Sequence, residues 1–123
     1  MTKKGEQMIQ AVSFGYSHEL KTLYKQGKLP QVVNGFYGGK LKLDNVTLEH
    51  LKPHSKGGKT TWDNLVLATA KNNNRRGNMP LKEFLDPKLM EKYLNQFENI
   101  KLKNFDGDKY IEQIKKTVES LIK

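Results

Sequence analysis

The fold turns on residues 49–77, EHLKPHSKGGKTTWDNLVLATAKNNNRRG. A carboxylate and a histidine stand side by side at its start, and a loop rich in glycine, serine, threonine and lysine follows. LVLA (65–68) is an apolar run short enough for a buried strand. TAKNNNRRG then predicts a short helix stopped by Gly77. Three asparagines inside a helix need a reason, because the short amide competes with the backbone for hydrogen bonds. At least one of Asn72, Asn73 and Asn74 is expected to be there for its side-chain oxygen.

On the N-terminal side, LKLDNVTLEH (41–50) reads as two short strands around an Asp44-Asn45 turn. Leu41 and Leu43 alternate before the turn, and Val46 and Leu48 after it. LPQVVNGFYGGK is broken by Pro30, Gly35, Gly38 and Gly39 and reads as irregular or extended. A helical segment over 6–27 comes in two pieces. Met8, Ile9 and Val12 belong to the first. In the second, Ser17 is the expected cap, Leu20, Leu23 and Tyr24 share a face, and Gly27 ends it. On the C-terminal side, a helical segment spans 80–122. Pro80 suits a helix N1 position with Glu83 in the first turn. Leu81, Phe84, Leu85, Leu89, Tyr93, Leu94 and Phe97 form a core face interrupted at Asp86-Pro87. A last helix starts near Asp106 or Asp108 and carries Tyr110, Ile111, Ile114, Val118, Leu121 and Ile122 at helical spacing.

The chain has 123 residues, a length that favours one domain over 1–123. It has no cysteine, which excludes disulfides, thiol catalysis and cysteine-based zinc sites. No apolar run is long enough to span a membrane or to serve as a secretory leader, so a cytoplasmic location is expected, and the cysteine-free, lysine- and asparagine-rich composition suits a bacterial or phage-infected cell. Lysine and arginine number 22 against 13 acidic residues, a net charge of +9. Between Lys52 and Lys82 there are seven basic residues and one acid, Asp63. A basic excess concentrated in one stretch suits a polyanionic partner.

Three features of this stretch carry chemistry. Glu49 can hold a hard cation and His50 can take a proton near neutral pH. Gly57-Gly58, flanked by lysines, allows close approach to a phosphate backbone. One of the asparagines returns an amide oxygen, so carboxylate plus amide makes a plausible two-ligand magnesium site completed by water and substrate phosphate. Adjacent residues of a regular strand point to opposite faces, so Glu49 and His50 serve one site only where the strand ends or twists.

The run from Leu48 to Phe84, LEHLKPHSKGGKTTWDNLVLATAKNNNRRGNMPLKEF, resembles the HNH endonuclease family, the ββα-metal fold. The parts that carry the resemblance are Glu49-His50, Pro53 to Gly58, Trp62 to Val66, and Asn73 with Arg75-Arg76-Gly77. Residues 1–40 and 88–123 carry none of it. The resemblance implies an α+β fold: a ββα-metal core over about 41–85, with a short antiparallel hairpin and flanking N- and C-terminal helices. It also implies roles. His50 would be the general base, Glu49 and Asn73 the metal ligands, and Asn64 the residue that constrains the loop between the strands. The cofactor would be Mg²⁺ or Mn²⁺, the substrate DNA, and the products 5′-phosphate and 3′-hydroxyl ends. Lys52, His54, Lys56, Lys59, Lys71, Arg75 and Arg76 are the candidate DNA contacts.

Two departures stand out. Many relatives bind a structural zinc through cysteine pairs, and the nearer pair falls on Thr69 and Asn72, so no structural zinc is expected. The family leaves the position of His54 variable. The alternative to an active nuclease is an HNH-fold protein that has lost cleavage and binds DNA, inhibits, or serves as an interaction module. The terminal helices are the candidate surfaces for a second copy or another protein.

Overall fold

The computed structural model describes residues 20–123. The expected helix piece with Met8, Ile9 and Val12, and the Ser17 cap, lie outside them. Two antiparallel strands form the centre: β1, Val46–His50, and β2, Leu65–Thr69. Val46 pairs with Thr69, and the ladder runs to His50 opposite Leu65. All five residues of β2 are buried. A two-stranded sheet leaves the outer edge of a buried strand without ladder partners, and those polar groups must be satisfied elsewhere. Here Phe36 N–H donates to Leu67 O, Tyr93 Oη lies 3.0 Å from Leu67 N, and Tyr110 Oη donates to Leu65 O at 2.7 Å. The two tyrosine hydroxyls also meet at 2.8 Å. Their rings pack with Phe36 and Phe97, so each tyrosine supplies apolar bulk and one polar handle.

Helix α1, Ala70–Arg76, follows β2 directly. Thr69 caps it by accepting from Asn72 N–H, and Gly77, at φ +49°, closes it. The expected break at Asp86-Pro87 divides the next segment into α2, Leu81–Phe84, and α3, Pro87–Asn95. Asp86 is the cap of α3 and Pro87 stands at its first turn. Pro80 lies one place before α2 as its cap, rather than inside it. The last helix, α4, is Gly107–Ile122, capped by Asp106. Tyr110, Ile114 and Val118, four residues apart, form its buried face. Between α3 and α4 a small hairpin, β3 at Lys101–Leu102 and β4 at Phe105–Asp106, was not expected from the sequence. Residues 20–25 are helical and Gly27, at φ +76°, follows them. Among the described residues, no helix is long and apolar enough to cross a membrane.

The expected hairpin across Asp44-Asn45 does not form. Residues 43–45 make a turn, and residues 41–42 take no strand conformation. Asn45 explains this. Its Oδ1 accepts from Lys42 N–H at 2.8 Å and its Nδ2 donates to Lys40 O, while the Asn45 and Val46 N–H groups both donate to Lys42 O, so the turn closes on itself rather than through a ladder. β1 pairs with the apolar β2 instead. Leu41 still enters the core, whereas Leu43 is 65% exposed.

Candidate functional site

The loop between β1 and β2 is held by Asn64. This buried side chain accepts from Lys52 N–H at 2.8 Å and donates to Lys52 O at 3.0 Å and Lys59 O at 2.8 Å. The loop folds tightly around that bolt. A Cβ on Gly58 would lie 1.7 Å from Lys52 O, so no other residue fits. Asn64 thus ties Lys52 and Lys59 together within the loop. The loop leaves Lys52, His54, Lys56 and Lys59 exposed, and α1 adds exposed Lys71 and Arg75. The Arg75 guanidinium sits over the Phe84 ring, 5.9 Å from its centroid.

β1 ends at His50, so Glu49 and His50 stand where the strand gives way to the loop. His50 turns toward the loop, where its Nε2 lies 3.0 Å from Thr60 Oγ1 and its ring lies 6.3 Å from the His54 ring. Partial burial holds the imidazole below the ordinary histidine value. Charge on His54 pushes the same way, and the Glu49 carboxylate opposes it.

Glu49 faces the interior with Thr47, against α1. Asn73 and Arg76, three residues apart, share the face of α1 that meets β1. Asn73 Nδ2 donates to Thr47 Oγ1 at 3.0 Å and to Leu48 O at 3.4 Å. One rung along, Arg76 Nη1 donates to Glu49 Oε2 at 2.8 Å, to Tyr37 Oη at 3.1 Å and to His50 O at 3.1 Å, while its Nε donates to Met79 O. Tyr37 Oη donates to the same Glu49 oxygen at 2.6 Å. Burial pushes the Tyr37 hydroxyl far above its ordinary value, and the Glu49 charge adds to this, so it stays protonated and able to donate.

This geometry corrects one expectation. Arg76 is not a surface phosphate contact: its side chain is 2% exposed, and its guanidinium is committed to Glu49, Tyr37 and two backbone carbonyls. Position on α1 is the reason, since consecutive helical residues point about 100° apart. Arg75 faces outward and Arg76 inward. Tyr37 and Thr60 are contacts that the sequence reading missed. Nothing in their spacing marks them, whereas Arg76 stands three residues from Asn73 and was findable on helical geometry.

The donor chemistry offered to a metal can be stated atom by atom. Among the described residues, no hydrogen bond reaches Glu49 Oε1 or Asn73 Oδ1. Because the Asn73 nitrogen is tied to β1, its oxygen is turned away from those bonds. A buried carboxylate oxygen and an oriented amide oxygen suit a hard cation that keeps several waters. No group of three or more His, Cys, Asp or Glu side chains converges among the described residues. Thr69 caps α1, and Asn72 Nδ2 donates to Gly38 O at 3.1 Å, linking α1 to the glycine turn before β1.

Residues 37–79 match the family model described as HNH endonuclease, a segment that contains Tyr37, both central strands, the loop and α1. No curated protein and no solved structure matches the chain.

Proposed function

We propose that this chain, whose residues 37–79 match the HNH endonuclease family model, is a divalent-metal-dependent DNA endonuclease of that family. The family ties it to nuclease-type, DNA-related function. The observation that carries the finer reading is the division of labour at the end of β1. His50 stands on the loop side with one ring nitrogen engaged, and two uncommitted oxygens, Glu49 Oε1 and Asn73 Oδ1, stand at the helix side.

In the tautomer whose Nε2–H donates to Thr60 Oγ1, the His50 lone pair lies on Nδ1, the nitrogen that would take a proton from the attacking water. A ring held below its ordinary value is neutral at pH 7 and ready to accept. Glu49 and Asn73 would hold Mg²⁺ or Mn²⁺. When bound, such a cation supplies positive charge opposite the phosphorane and the leaving oxygen. Lys52, His54, Lys56, Lys59, Lys71 and Arg75 would hold the DNA backbone, contacts that position substrate without reading sequence. The products would carry 5′-phosphate and 3′-hydroxyl ends.

A second reading has its own supporting observation. Glu49 already has a counter-charge in Arg76, as in a fold kept for binding after cleavage is lost. Supercoiled plasmid incubated with Mg²⁺, with Mn²⁺ and with chelator separates the two. Metal-dependent nicking or linearisation supports the nuclease. Intact plasmid in both metals, at protein concentrations that shift DNA in a gel, supports the binding protein instead.

A further inference from the structure

The ion pair between Arg76 and Glu49 does more than fill the interior. Both side chains are nearly excluded from solvent, at 2% and 10% exposure. An arginine cannot shed its proton to relieve the site. Its positive charge therefore stays 2.8 Å from Glu49 Oε2. The charges of Glu49 and Arg76 cancel, and Asn73, the other candidate ligand, is neutral. The affinity of an oxygen site for a hard divalent cation rises with the negative charge of its ligands. On this count the free protein offers ligand atoms but no net negative charge. A phosphodiester oxygen of bound DNA would supply it.

We propose that Arg76 is a built-in counter-cation to Glu49, so that divalent metal and DNA phosphate bind this chain with strong positive coupling and the free protein holds metal weakly. This rests on Glu49 being a ligand in the nuclease reading above. Coupling is reciprocal: the metal must raise affinity for DNA by the same factor that DNA raises affinity for the metal. Tyr37 plays a different part. It donates to the same carboxylate oxygen and accepts from Arg76, but it is neutral, so it sets the position of the pair and leaves the charge balance alone.

Mn²⁺ binding, read by the loss of the free-ion paramagnetic resonance signal, tests this without relying on turnover. The His50→Ala chain is titrated with and without a short DNA duplex, its missing base keeping the duplex intact. The duplex should tighten Mn²⁺ binding by at least about tenfold, within the usual range of coupling between two sites. Equal affinity in both titrations overturns the proposal. The double variant His50→Ala/Arg76→Gln, confirmed folded by circular dichroism, should bind Mn²⁺ at least about tenfold tighter than His50→Ala without DNA and lose most of the coupling. Arg76→Lys and Tyr37→Phe in the same background should each keep the weak metal binding of His50→Ala. If Tyr37→Phe tightens binding as much as Arg76→Gln, charge is not the cause and the proposal falls. Nicking by the wild type alongside uncoupled Mn²⁺ binding defeats this inference alone. A wild type that neither nicks plasmid nor takes up Mn²⁺ with DNA present defeats the nuclease reading as well.

Discussion

Replacing Asn64 by alanine removes the bolt of the loop between β1 and β2. Three hydrogen bonds go with it, to Lys52 N–H, Lys52 O and Lys59 O. Each is worth about 1 kcal/mol net, and more where the partner is left dry. These backbone groups are only partly buried, so water can reach some of them. The loss should therefore be about 2–3 kcal/mol. With an unfolding entropy of about 2.1 cal/mol/K per residue, a chain of this length melts about 4 °C lower per kcal/mol, so the Asn64→Ala midpoint should fall by about 8–12 °C. Activity should fall further than stability explains. The loop carries Thr60, the partner of the His50 ring, and the exposed lysines. Differential scanning calorimetry measures the first effect, and single-turnover cleavage well below the melting midpoint measures the second. A midpoint within about 2 °C of wild type would show that Asn64 does not hold the loop, because two lost hydrogen bonds alone should exceed that shift.

Thr60→Val removes the oxygen that fixes the His50 ring. Cleavage should drop by about tenfold, the lower end of what a misoriented base costs, with DNA affinity unchanged, and Thr60→Ser should restore it; nitrogen chemical shifts of the His50 ring report the tautomer directly. Asn73→Ala should weaken metal binding and regain part of its cleavage at high Mn²⁺, whereas Asn72→Ala and Asn74→Ala should retain cleavage; a metal titration of the three variants checks the register. Arg75→Ala should lower the salt dependence of DNA binding by about one phosphate contact, measured by fluorescence anisotropy across a salt series.

Much of the fold was legible because local signals agreed. The apolar run at Leu65, Val66, Leu67 and Ala68 reads as a buried strand, and Gly77 stops the short helix that follows it. Leu41 and Leu43 misled by alternating like a strand. Alternation reports which face would be buried, and it cannot report that Asn45 closes a turn with its own side chain. The site was legible where strand and helix periods apply. Glu49 and His50 stand where β1 ends and meet different partners, Arg76 and Tyr37 for one and Thr60 for the other, and Asn73 faces β1. Arg75 and Arg76 look equivalent as letters, yet helical rotation sends one outward and buries the other. Tyr37 meets Glu49 and Thr60 meets His50 only because of the path the intervening loops take. No period encodes such a path.

The central claim is that His50 activates water for cleavage of DNA. It is tested most directly by single-turnover cleavage of supercoiled plasmid in Mg²⁺ and in Mn²⁺, wild type against His50→Ala at matched, saturating protein. The half-buried ring contacts Thr60 and lies near His54, and its removal leaves the Glu49–Arg76 pair and the Asn73 bonds in place. The variant should therefore fold and bind DNA like the wild type while its cleavage rate falls by at least about two orders of magnitude in both metals, the usual contribution of a general base. A His50→Ala rate within about threefold of a measurable wild-type rate would contradict the account and take His50 out of the reaction.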